Sequence, residues 1–126
     1  MSSIKLTILK LLRWTVTLFF LVAGTTKLLA LNDMTVLFDH FQLPLWFMYL
    51  TGIIEVLSAI GLLLWNQKIG LMAALTLFMT MLVAGIFHLI YDSLIQSVPA
   101  ISLAILFAFW VAKQYAHLNL NRKGEM

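Results

Sequence analysis

Lys27, Glu55, His88 and Gln96 are the side chains of this sequence whose types and settings can do chemistry. A lysine, a carboxylic acid, an imidazole and an amide can hold charge, pass protons or bind a polar group. Each falls inside or at the edge of a long apolar run. The most telling is Glu55, at the centre of Leu45–Trp65, which reads LWFMYLTGIIEVLSAIGLLLW. A carboxylate at mid-bilayer costs roughly 2.5–3.5 kcal/mol on insertion scales. It requires a partner or a proton.

The runs that must position these groups are membrane spans. Sixty-three percent of the 126 residues are apolar and only 10% are charged. A soluble domain carries about 25% charged residues. A stretch of about 20 apolar residues makes a helix about 30 Å long, the thickness of the hydrocarbon core. The apolar runs place spans at about 12–31, 45–65, 69–91 and 94–112, with 113–126 as a polar, frayed tail. Trp46 and Trp65 stand near the two ends of the second span, at the interface that such rings prefer. Between the first two spans, Met34, Leu37, Phe38 and Phe41 recur at helical spacing, with Asp33, Asp39 and His40 off the stripe. That pattern predicts a short amphipathic helix in the interface, stopped by Pro44. The expected fold is all-α: a single transmembrane domain, residues 1–126, forming a transmembrane four-helix bundle.

Charge sets the orientation. Lys5, Lys10 and Arg13 precede the first span, Lys68 lies between the second and third, and Lys113, Arg122 and Lys123 follow the fourth. The other two connections carry no Lys or Arg. With four spans all the basic flanks share one side, which places the N and C termini in the cytoplasm. The net charge of +3 is thereby accounted for by topology, not by nucleic-acid binding. With no Cys in the chain, thiolate metal sites and dithiol redox chemistry are excluded. Scattered His residues leave only His88 and Glu55 to share an ion, so no metal site is expected.

Counting residues along the helices puts Lys27, His88 and Gln96 at one level near the outer side. Glu55 lies deeper, roughly 15 Å from that side at 1.5 Å per residue. A lysine stem spans most of that gap. Small residues accompany the ionisable ones: Ala23 and Gly24 before Lys27, Gly52 and Ser58 around Glu55, Ala84 and Gly85 before His88. Small residues let helices approach closely in lipid. Leu21-Val22-Ala23-Gly24-x-x-Lys27-Leu28 also matches Leu82-Val83-Ala84-Gly85-x-x-His88-Leu89, a weak internal repeat.

Each residue also has a structural reading. Lys27 can snorkel to the outer headgroups, His88 can pack at the interface, and Gln96 can serve a helix start. A Glu55–Lys27 pair can lock helix register as well as it can form a working site.

The run Phe19-x4-Gly24-x-x-Lys27-Leu28, Leu43-Pro44, Gly52-x-x-Glu55-x5-Gly61-Leu62-Leu63 and Ala84-x3-His88 resembles the DoxX-like family of small four-helix membrane proteins. The resemblance spans roughly 14–112. It implies a four-helix transmembrane bundle with the family's Lys, Glu and His positions at Lys27, Glu55 and His88, in the inner (cell) membrane of a bacterium. It implies no single activity. Some relatives are associated with quinone-linked sulfur oxidation or membrane redox complexes, and related eukaryotic proteins assist assembly of membrane receptors.

Three functions follow as expectations. The first is an accessory or scaffold component of a membrane complex, with another membrane protein or a second copy as partner. The second is a site for quinone or another amphipathic molecule, lined by Phe19, Phe20, Trp46 and Phe87. The third is proton-coupled transport through Glu55 and His88. No complete catalytic set marks the chain as an enzyme.

Overall fold

Helix formation is dictated by the apolar runs, because lipid offers the backbone no other hydrogen-bond partners. A computed structural model describes residues 2–64 and 66–125. It contains α1 (Ser3–Leu28), α2 (Asn32–His40), α3 (Leu45–Leu63), α4 (Gln67–Tyr91) and α5 (Leu94–Gly124), with no strand among the described residues. Four of them, α1, α3, α4 and α5, are long and apolar enough to cross a membrane. The protein is thus an all-helical membrane protein with the expected four spans and the expected short helix between the first two. Trp65, expected at the end of the second span, lies outside the described residues.

The helices outrun the apolar stretches at two ends. α1 begins at Ser3, where the Ser2 hydroxyl accepts from the Lys5 N–H as an N-cap. α5 passes through Pro99 and continues to Gly124, so residues expected to fray are helical. Lys, Arg and Gln are good helix formers. Hydropathy marks where a helix leaves the hydrocarbon, not where it ends.

The chain divides into two compact units, Met1–Leu64 and Trp65–Met126. In the first, α1 packs on α3 in antiparallel fashion: Gly24 faces Val56, and Leu28 faces Gly52. The buried positions of α3 step by four and three residues: Met48, Gly52, Glu55, Ala59, Leu62. Those of α1 do the same at Thr17, Phe20 and Gly24, and Lys27 is the next step. This is the seam spacing of closely packed helices.

α2 is tied in by two turns of one design. After α1, Ala30 takes a left-handed conformation (φ 50°), its N–H donates to the Lys27 carbonyl, and the Leu31 N–H donates to the Thr26 carbonyl. After α2, Gln42 (φ 59°) donates to Asp39 and Leu43 donates to Phe38. Both are Schellman closures built without glycine. The α2 stripe turns inward: Phe38 and Phe41 are buried, and the Phe38 ring lies 6.5 Å from that of Phe47 on α3. Asp33, Asp39 and His40 are exposed, as their places off the stripe require.

In the second unit α4 packs on α5 across the turn Asp92–Ser93. Their buried positions are mostly small residues, with Leu77, Met81 and Phe107 among them: Ala73, Ala74, Leu77, Met81 and Gly85 on α4, Ser97, Ala100, Ala104 and Phe107 on α5.

Candidate functional site

Lys27 stands in the last turn of α1, just before the Schellman closure at Ala30. Side chains on a helix lean toward its N-terminus. Lys27 therefore reaches back along α1, away from the helix end, and its Nζ lies 3.4 Å from the Ala23 carbonyl of the preceding turn. In that direction it meets Glu55: Nζ donates to Oε2 at 2.9 Å. The side chains are 12% and 3% exposed, respectively. The pair expected from depth counting is formed, and it sits on the α1–α3 seam.

The close approach of the two helices makes this contact reachable. A Cβ on Gly24 would lie 2.8 Å from the Gly52 carbonyl and 2.7 Å from the Val56 side chain. A Cβ on Gly52 would lie 2.9 Å from the Gly24 carbonyl and 3.1 Å from the Lys27 Cβ. The two glycines thus hold the backbones together one turn from the ion pair. Both charges are desolvated, and their attraction must offset that cost through good geometry. A direct 2.9 Å hydrogen bond, with a backbone carbonyl near the ammonium, is such geometry.

His88 and Gln96 lie in the other unit, in the last turn of α4 and the first turn of α5. They are joined by Asp92, the residue between the two helices. His88 Nδ1 lies 2.7 Å from Asp92 Oδ2. With its amide nitrogen turned toward the carboxylate, Gln96 donates to Asp92 Oδ2 at 3.1 Å and to Oδ1 at 3.3 Å. One carboxylate therefore fastens the end of one helix to the start of the next. The signal was present in the sequence: His88 and Asp92 are four residues apart, the spacing that brings side chains together on a helix.

The weak repeat has a structural counterpart. Gly85, one turn before His88, meets the Ile101 side chain of α5, as Gly24 meets α3. In each unit a glycine packs on the partner helix, and the ionisable residue one turn later finds a carboxylate. The source of the carboxylate differs: Glu55 comes from the partner helix, Asp92 from the turn.

The four aromatic residues expected to wall a ligand site differ in burial. Phe20 is fully buried, Phe87 is intermediate, and Phe19 and Trp46 are more than half exposed. Among the described residues no three His, Asp or Glu side chains gather into a metal-binding group.

No curated protein and no solved structure matches the chain. The DoxX-like family does match, across residues 11–112, which takes in α3 and α4 whole, the greater part of α1 and α5, and each of Lys27, Glu55, His88 and Gln96. Over that span and with that architecture, the chain belongs to the DoxX-like family.

Proposed function

We propose that the protein is an accessory or scaffold component of a membrane complex, acting as one transmembrane domain with both termini in the cytoplasm. The observation that carries this reading is the sealed Lys27–Glu55 pair on the tightest part of the α1–α3 seam. A lysine and an acid hydrogen-bonded to each other, at 12% and 3% exposure, suit a register lock better than a site that must admit substrate. The partner is another membrane protein or a second copy of the chain, met through the lipid-facing helix surfaces. In this reading the membrane is the inner (cell) membrane of a bacterium.

The test is crosslinking in native membranes followed by purification of wild-type protein and of Lys27→Met/Glu55→Leu. A register lock tolerates an apolar pair of similar volume, so both forms should bring down the same stoichiometric partner. Recovery of the chain alone in every detergent overturns the scaffold reading. A stable, folded double variant that loses its partner or a co-purifying quinone moves the pair from structure to binding.

A further inference from the structure

The first three turns of α1 carry a surface that the scaffold reading does not use. α1 is 26 residues long. A hydrocarbon core of about 30 Å takes about 20 residues at about 1.5 Å each, and the apolar run places those at about 12–31, so residues 3–11 of α1 precede it. Lys27 and the Ala30 closure hold the other end, so the excess falls at the Ser3 end. There Ile4, Ile8 and Leu11 are 70%, 58% and 61% exposed. They recur at i, i+4 and i+7, one stripe on one helix face. Lys5 and Lys10 are exposed on the same turns, and the first turn holds no acidic residue. The first acid in the chain is Asp33, beyond the far end of α1.

We infer that residues 3–11 form an interfacial segment that binds anionic phospholipid headgroups. Three observations select lipid as the occupant. The segment is continuous with the span, so it starts at the headgroup layer: Lys10 is four residues, roughly 6 Å, from Trp14, the first aromatic residue of the chain. The stripe is purely aliphatic, whereas the cores of protein interfaces are rich in aromatic side chains. The cations have no acid nearby in sequence, and each Lys close to an anionic surface strengthens binding about fivefold. Aliphatic residues then enter the acyl boundary while the lysine stems reach phosphate. The inference is independent of the scaffold reading, because it concerns a different surface and a lipid partner.

The absence of Cys makes a direct test available. A single spin label is placed at Ile8→Cys in the full chain. The protein is reconstituted in nanodiscs of phosphatidylcholine alone and of an equal mixture with phosphatidylglycerol. Collision with oxygen is compared with collision with a neutral nickel chelate. The oxygen-to-nickel ratio should be higher in the anionic discs, and Lys5→Gln/Lys10→Gln should abolish the rise. A label at Leu18→Cys, an exposed mid-span position, reports correct insertion throughout. An equal ratio in the two lipids overturns the inference. So does a label at Ile8→Cys shielded from both reagents, because protein then covers the stripe.

Discussion

Gly24 and Gly52 face each other across the α1–α3 seam with each carbonyl where the other's Cβ would be, at 2.8 and 2.9 Å. Lys27 and Glu55 are each three residues further along their own helices. Because the helices are antiparallel those steps lead apart, and Lys27 meets Glu55 by reaching back along α1 to Ala23; the close backbones make that reach sufficient, so contact and pair should fail together.

Gly52→Ala is the sharpest probe of that dependence. The new methyl meets the Gly24 backbone, which has no flexible end to move aside. Overpacking of this kind costs about 1–3 kcal/mol. Gly70→Ala, where nothing lies within 4 Å, should be neutral or slightly stabilising, since alanine favours helix by about 1 kcal/mol over glycine. Unfolding in mixed micelles orders the two variants; equal stabilities would mean that the seam is looser than its geometry requires.

The pair itself should show the asymmetry of buried ions. Lys27→Met leaves Glu55 without its partner and should destabilise by about 3 kcal/mol. Lys27→Met/Glu55→Leu removes both charges and should return to within about 1 kcal/mol of the wild type. The same micelle titration measures both. A double variant as unstable as the single one would show that apolar packing cannot replace the pair.

Asp92 is expected to hold the α4–α5 turn. Asp92→Ala removes the acceptor shared by His88 and Gln96, at a cost of about 1 kcal/mol or more. The loss is local, so hydrogen exchange should quicken at the amides of Ser93 to Ser97, the first turn of α5. Unchanged exchange there would leave Asp92 as an ordinary cap.

Ala30 and Gln42 carry left-handed backbone at the two helix closures around α2. A side chain in that conformation costs about 1–2 kcal/mol, partly returned as unfolded-state entropy when glycine replaces it. Ala30→Gly and Gln42→Gly should therefore each stabilise by about 0.5–1 kcal/mol, read as a higher thermal midpoint. Ala30→Val should do the reverse, because a β-branched side chain fits left-handed backbone worst.

The number and approximate place of the spans are legible in the residue order, because lipid leaves an apolar run of this length one backbone solution. It also determined the amphipathic turn of chain around Phe38 and the need of Glu55 for a partner. It named Lys27 as that partner, since helix rise and stem length are local quantities. Apolarity does not mark the helix ends: it changes at the membrane surface, while Ser2 capping and the helix-forming residues beyond Lys113 carry α1 and α5 further. What depends on residues distant in sequence came from the packed fold. It selected α3 as the neighbour of α1, brought Gly24 onto Gly52, and gave Ala30 and Gln42 left-handed turns that neither residue type announces. It also gave His88 and Gln96 a shared carboxylate in Asp92. That residue lay in plain view at helical spacing, but a carboxylate at a helix end reads as solvated until its neighbours are seen to point back at it.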